Sequence, residues 1–353
     1  MHRWIAVFCV LLMQVACATV PANVATVIQP PSTRIALSTD TLKVLSLNIA
    51  HGRKDGSNQL LLSGTTIRNN LDAIASVLGQ SGADIIALQE GDAASRWSGN
   101  FDHIAVLAAR ANYPAVVHTT HARSWLYNYG TAILSQASFT ETLNYTFEPS
   151  PPTLNKGFTL AQIVWQPHGQ NEPPVLLDIV SVHLDFSRKQ VRERQVEEIS
   201  RVFDGRENPL IVLGDFNSDW LADERVVRAL ANDNDLQVYR PTADDLGTYP
   251  SGNKRLDWIL ISDTLEFIRY EVLPDVLSDH KAVIAEIGFK GHTSSIETSM
   301  KNHAAHPANH HDGKPKGDCF HAANKTLPAT GHCFIAGCLC HSGTPAASPA
   351  TVD

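Results

Sequence analysis

The chain has no cysteine between Cys17 and Cys319. A disulfide framework for everything between those two residues is therefore excluded, and that region has to be held by ordinary burial. Long apolar runs are also missing. After the segment Trp4 to Val15, no stretch is apolar enough to cross a membrane. Positive charge is scarce: 28 Lys and Arg stand against 36 Asp and Glu, for a formal net charge of −8. Without a basic stripe, a bulk electrostatic grip on nucleic acid is disfavoured. Nuclease chemistry itself is not excluded, because a bound divalent cation inverts the local field. Hydrophobic residues make up 43% of the 353, which places the chain in the globular range, with room for one large domain or two ordinary ones.

The two ends differ from the middle. Arg3 precedes the apolar run Trp4 to Val15, which is too short for a bilayer span and suits a signal peptide. Ala16-Cys17-Ala18 offers a small-x-small cleavage site. Cys17 is alternatively the lipidated cysteine of a bacterial lipoprotein, but Gln14 stands where such signals carry an aliphatic residue, so lipidation ranks second. Residues 1–18 are thus expected to be a targeting segment, with the mature protein outside the cytoplasm, periplasmic or secreted. Residues 19–41 contain Pro21, Pro30 and Pro31 without periodicity and are expected to form a linker. Residues 290–353 lack hydrophobic periodicity and are expected to be a flexible tail. That tail holds Cys319, Cys333, Cys338, Cys340 and His341, a set suited to two disulfides or to a soft metal such as Zn²⁺ or Cu(I).

The body, residues 42–289, alternates strand-like and helix-like segments. Lys43–Leu47, Asp84–Leu88, Thr131–Leu134, Pro209–Leu213, Asp257–Ile261 and Val283–Ile287 read as strands, with a run of further strands near 139–146, 159–165 and 175–184. Ile67, Leu71, Ile74, Ala75 and Leu78 recur at helical spacing, and so do Val191, Val196, Ile199 and Val202. Phe101–Asn112 reads as a third helix. Mixed βα units and consecutive strands point to an α/β fold of two sheets packed face to face and flanked by helices.

Chemistry-bearing residues cluster at the strand ends, where ligands bind in open α/β sheets. They are Leu47-Asn48, Gln89-Glu90, His183-Leu184-Asp185, Gly214-Asp215-Phe216-Asn217, Arg255-Leu256-Asp257-Trp258 and Ser278-Asp279-His280. A hard cation wants oxygen ligands, and Glu90, with Asn48 and Asp279, supplies them. Asp215 with Asn217 is suited to holding or deprotonating an attacking water. His280 can bind a phosphate or take a proton, with Asp257 orienting its ring. His183 can stabilise the phosphate or protonate a leaving oxygen. Each residue alone has a structural alternative: a turn, a cap or a satisfied backbone group. The ordered set is what argues for a site. His51, Arg53 and Lys54 either reach a substrate phosphate or form a solvated loop. Trp97, Trp125, Tyr127 and Tyr129 either line the cleft or simply pack.

The succession LN, QE, HLD, GDFN, RLDW, SDH resembles the endonuclease/exonuclease/phosphatase superfamily over roughly residues 42–289. The resemblance implies a four-layer α/β/β/α sandwich of two mixed sheets and a Mg²⁺- or Mn²⁺-dependent in-line attack of water on phosphorus. It implies metal positions at Asn48 and Glu90, with Asp279 beside them. It also implies a nucleophile site at Asp215 and Asn217, an Asp257–His280 pair, and a phosphate contact at His183. A His at that last position is similar to the deoxyribonuclease, sphingomyelinase and inositol-phosphatase branches, whereas the apurinic-site branch carries Tyr. The expected activity is hydrolysis of a phosphate ester, whether of a small molecule, a lipid head group or DNA, by a monomer with no obligate protein partner. Rival readings are an extracellular nuclease of the same fold and a metal-sequestering protein acting through the His/Cys-rich tail.

Overall fold

The computed structural model describes residues 24–29, 36–167, 173–222, 225–251 and 253–290. The expected targeting segment, including Cys17, and the tail with Cys319, Cys333, Cys338, Cys340 and His341 lie outside the described residues.

Among the described residues thirteen strands form two sheets. The first has seven: β1 (Val24–Ile28), β2 (Leu42–Asn48), β3 (Ile85–Asp92), β4 (Ala115–Arg123), β5 (Asn128–Ser135), β12 (Leu265–Val272) and β13 (Val283–Phe289), in the order β1-β4-β5-β3-β2-β13-β12. The second has six: β6 (Phe139–Thr146), β7 (Gly157–Trp165), β8 (Val175–His183), β9 (Leu210–Asp215), β10 (Leu236–Val238) and β11 (Asp257–Ser262), in the order β10-β11-β9-β8-β7-β6. Each sheet is mixed, with one parallel pair: β2 with β3, and β8 with β9.

Alternation along the strands builds the layers. On one face of β2, β3, β8, β9 and β11, residues such as Val44, Ile85, Ile179, Leu213 and Ile259 meet between the sheets as a central core. On the other faces Leu45, Leu47, Ile86 and Leu88 pack against α1 (Gly64–Ser81) and α2 (His103–Ala111). Val180, Val182, Val212 and Trp258 pack against α3 (Lys189–Phe203) and α4 (Val226–Asp233). The result is the expected four-layer α/β/β/α sandwich. Helix ends agree with their sequence. Ser63 Oγ accepts from the Thr66 N–H and Gly82 closes α1 in a left-handed conformation, while Asp102 caps α2 through the Ala105 N–H.

Two departures from the sequence reading are informative. Residues 24–28, expected within an irregular linker, form the edge strand β1 and pair antiparallel with β4, and Leu37 bridges to Trp165. The segment is short and mostly exposed, so its backbone ladder rather than an apolar pattern fixes it. β4, β10, β12 and α4 have no counterpart in the sequence reading. β4 carries two buried histidines, His118 and His121, and is exposed only at Arg123, and β12 is a charged edge strand.

Candidate active site

The central core changes character toward one end of the sheets. Along the inward face of β2 the residues run Leu42, Val44, Ser46, Asn48, all buried. Ser46 Oγ reaches Gln89 at 3.5 Å, and Gln89 Nε2 donates to Ser181 Oγ at 3.1 Å. Apolar burial thus gives way to a hydrogen-bonded polar layer that ends in the candidate site.

Strand register assembles that site. In the six-stranded sheet His183 pairs with Asp215 and Asp215 with Asp257, so three of the expected residues stand in one row across β8, β9 and β11. In the facing sheet Asn48 pairs with Gln89. The two rows are joined by Asn48 Nδ2, which donates to Asp215 Oδ2 at 2.9 Å. Between Leu88 and Gly91 the β3–β5 register slips, leaving Gln89 and Glu90 opposite the single residue Thr131. At this bulge Glu90 takes a φ of 51°, which turns its side chain from the strand's alternation toward the site. Asn217, at φ 49°, is turned in the same way, and its Nδ2 donates to Leu184 O at 3.1 Å and to Asp215 Oδ2 at 3.2 Å.

Asn48, Glu90, Asp215, Asn217, Asp279 and His280 all line one cavity of about 440 Å³, whose walls also include Arg53, Lys254, Phe186 and Tyr249. His280 Nδ1 donates to Asp257 Oδ2 at 2.8 Å, and its Nε2 lies 3.8 Å from Asp215 Oδ2. His183 Nε2 lies 3.6 Å from Asp215 Oδ2 and 3.7 Å from Glu90 Oε1. All the catalytic and metal candidates of the body are therefore brought together.

Burial sets the electrostatics. Asp215 is pushed up to about 6, first by burial and then by Asp257, against the pull of His280 and the hydrogen bonds from Asn48 and Asn217. Burial disfavours the imidazolium of His280, yet Asp257 and Asp215 raise it to about 10. Burial likewise disfavours the Glu90 carboxylate, but His51, Lys156, His183 and Arg53 together hold it well below the usual range, so it stays an anion. His183 is lowered well below its ordinary value by burial and by Lys156, and is neutral near pH 7. Ligand-type atoms of Asp215, Asp257 and His280 lie within 4.8 Å of one another, an arrangement consistent with a metal site.

Several residues play parts that their sequence position did not disclose. His51 is buried, its Nδ1 donating to Asp92 Oδ2 at 2.9 Å and its Nε2 lying 3.3 Å from Glu90 Oε2. It sits on three consecutive left-handed residues, Ala50, His51 and Gly52. Trp97 and Tyr129 pack edge-on against its ring, with centroids 4.9 and 4.8 Å away, whereas Trp125 is exposed. Arg53 Nη2 binds Asp279 at 2.7 Å, and Lys54 is exposed. Lys156, not singled out in the sequence, is buried with Nζ 3.1 Å from His183 Nε2 and 3.7 Å from Glu90 Oε1. Its immediate sequence, Asn155-Lys156-Gly157 ahead of β7, carries no pattern that singles it out.

Other motif members are structural. Arg255 lies over the Trp258 ring at 3.9 Å and donates to the Tyr239 carbonyl at 2.9 Å. Trp258 Nε1 donates to Ser218 O at 2.9 Å. Asp185 accepts from Thr153 Oγ1 at 2.6 Å and from the Ser187 and Arg188 N–H groups at 2.9 and 2.8 Å, which ties the end of β8 to the start of α3.

Comparison with known proteins agrees with this geometry. No curated protein matches the sequence. Among solved structures, an endonuclease/exonuclease/phosphatase family protein from Leptotrichia buccalis C-1013-b aligns with a TM-score of 0.55 at 19% identity, covering 70% of this chain and 100% of its own. The human Nocturnin catalytic domain with bound sulfate anion aligns with a TM-score of 0.51 at 17% identity, covering 77% and 100%. A mannosyl-6-phosphatase from Bacteroides thetaiotaomicron VPI-5482 gives a TM-score of 0.50 at 16% identity, covering 70% and 100%. At these identities the likeness is one of fold. Residues 45–280, about two-thirds of the chain, match the family model itself, and the chain belongs to the Endonuclease/Exonuclease/phosphatase family.

Proposed function

We propose that this protein is a divalent-metal-dependent phosphoesterase that hydrolyses a phosphate ester by in-line attack of water. One observation carries the reading: the buried Asp257–His280–Asp215 array shares a cavity with Glu90, a carboxylate kept anionic by its surroundings. Few structural needs call for so many buried ionisable groups around one cavity.

The donors fit Mg²⁺ or Mn²⁺. Glu90, the Asn48 amide oxygen and Asp279 are hard oxygen ligands around the cavity, and Glu90 is an anion flanked by the His51 ring at 3.3 Å and Lys156 Nζ at 3.7 Å. When bound, such a cation neutralises charge on the phosphoryl oxygens. The remaining work falls to side chains. Asp215, oriented by Asn48 and Asn217, holds the water and takes its proton. His280, kept protonated by Asp257, hydrogen-bonds a non-bridging oxygen, and neutral His183 lies beside it.

A small phosphate ester is favoured over DNA by the net charge of −8. The fold neighbour that is a mannosyl-6-phosphatase fits that direction. Export remains part of the proposal, carried by Arg3, the run Trp4 to Val15 and the Ala16-Cys17-Ala18 site. Mass spectrometry of the mature N-terminus would decide between simple cleavage and lipidation at Cys17.

The test is hydrolysis of p-nitrophenyl phosphate and bis-p-nitrophenyl phosphate by the purified chain with Mg²⁺, Mn²⁺ or EDTA. Metal-dependent, EDTA-sensitive release from either ester supports the reading. No release with any metal from these or from a panel of sugar phosphates, phospholipids and DNA sinks it.

A further inference from the structure

Lys156 stands apart from the residues that define the family site. It precedes β7 and its backbone is pinned: the Phe147 N–H donates to its carbonyl at 3.0 Å, and the next residue, Gly157, pairs with both Thr146 and His183. The side chain then runs inward beside the Tyr129 ring, 5.6 Å from its centroid, and only 5% of it is exposed. A buried ammonium is costly unless its donors are used.

In this structure its use is incomplete. An ammonium has three N–H donors. Among the described residues, the ring of His183 is its acceptor within hydrogen-bond reach, at 3.1 Å. The nearest carboxylate oxygen, Glu90 Oε1, is at 3.7 Å, too far for a hydrogen bond. Glu90 is itself needed by the cation in the reading given above. A structural ion pair therefore accounts poorly for Lys156. Its Nζ stands between Glu90 and His183, with Nε2 of that histidine 3.6 Å from Asp215 Oδ2. Lys156 and His183 stand just behind the cavity wall, next to its lining residues Glu90 and Asp215, so a phosphoryl group seated against Asp215 and His280 reaches those donors by an oxygen entering between Glu90 and His183.

We propose that Lys156 is a phosphate-binding catalytic residue that gives this site a preference for phosphate monoesters over diesters. The inference rests on the phosphoesterase reading of the same site. A monoester near neutral pH carries up to two negative charges and three terminal oxygens, whereas a diester carries one charge and two. A fixed, desolvated cation added to the metal and to His280 rewards the second charge more than the first. Lys254 adds a further cation at the cavity wall, where Arg53 is already paired with Asp279.

The experiment compares the full chain with K156Q, K156M and K156R. K156M removes the charge without leaving a buried polar group, so it guards against loss of folding in K156Q. Folding is checked by melting temperature. Two quantities are read: the ratio of kcat/KM for p-nitrophenyl phosphate to that for bis-p-nitrophenyl phosphate, and the affinity for inorganic phosphate measured by calorimetry. The wild type should favour the monoester. K156Q and K156M should lose about 100-fold in monoester kcat/KM and about tenfold or less on the diester, as removal of one preorganised donor predicts. Phosphate affinity should fall by about tenfold, the scale of one charge-assisted hydrogen bond. K156R should keep most of both. A folded K156Q or K156M with the wild-type ratio and unchanged phosphate affinity would overturn the role of Lys156 alone. A wild type that hydrolyses neither these esters nor the wider panel would overturn the phosphoesterase reading, and with it this one.

Discussion

His280 Nδ1 donates to one oxygen of Asp257 at 2.8 Å, while the other oxygen, Oδ1, is buried without a hydrogen-bond partner among the described residues. Asp257 therefore fixes both the tautomer and the charge of the ring: Nδ1 carries a proton, and Nε2 faces Asp215 at 3.8 Å. Substituting D257N keeps the shape but removes the charge that holds His280 protonated. Activity on the best ester should fall by about 10³-fold in D257N and in H280A, in the range seen when a general acid–base or its orienting carboxylate is lost. The melting temperature of D257N should change little by comparison. Near wild-type turnover in either variant would remove this pair from the mechanism.

Behind Glu90 stands a second carboxylate–imidazole pair. His51 faces Glu90 at 3.3 Å and is itself held by Asp92 at 2.9 Å, which also accepts from Trp97 Nε1 at 2.9 Å. The left-handed backbone at Ala50 and His51 is costly for residues with a side chain, and its effect is to point the imidazole at Glu90. H51A should weaken Mn²⁺ binding by about 10–100-fold, the usual effect of losing a group that orients a metal ligand. Titration followed by electron paramagnetic resonance reads this without substrate. Unchanged Mn²⁺ affinity would leave His51 a packing residue.

How far the sequence disclosed this arrangement depended on whether a residue's role followed from its own strand. His183 and Asp215 close, and Asp257 opens, the inward face of strands whose other inward residues, Ile179, Ile211 and Leu213, and Ile259, are apolar. A period-two reading of each strand end thus finds them. Glu90 was legible as a strand-end carboxylate, but its aim was not, because a bulge rather than alternation directs it. Lys156 was invisible for a different reason. Its meaning comes from Glu90 on the facing sheet, 66 positions away in sequence, and nothing local marks such an approach. Arg255 and Asp185 show the converse error. Both sit in motifs that look chemical, yet Arg255 stacks on Trp258 and donates through Nη1 to backbone carbonyls, and the acceptors of Asp185 are taken by Thr153, Ser187 and Arg188.

Gly214, immediately before Asp215, has a φ of 150°, and a Cβ there would come within 2.0 Å of the Val182 carbonyl oxygen in the neighbouring strand. Backbone, not a flexible side chain, would have to move. G214A should destabilise the fold by about 3 kcal/mol, as substitutions against incompatible backbone do. That corresponds to roughly 6–12 °C in melting temperature for a domain of this size. Because β8 and β9 register His183 against Asp215, residual folded protein should also lose turnover. A variant that melts with the wild type would show that the strands are not held this closely.

Asp185 offers a test of stability against pH. Burial would raise its carboxyl, but the Thr153 hydroxyl and the N–H groups of Ser187 and Arg188 outweigh that and lower it. Its folded value therefore lies below its unfolded value, so its contribution is fully present above the ordinary 3.8 and is lost as pH falls through the lowered folded value. D185N keeps an acceptor but loses the charge and misplaces a donor, and should cost about 2 kcal/mol at pH 7. The gap between wild type and D185N in urea unfolding should narrow on acidification, since protonating Asp185 removes in the wild type what the substitution removed in the variant. A gap that stays constant down to the acid unfolding of the wild type would mean that the loop between β8 and α3 is held by its neutral contacts alone, with no contribution from the carboxylate charge.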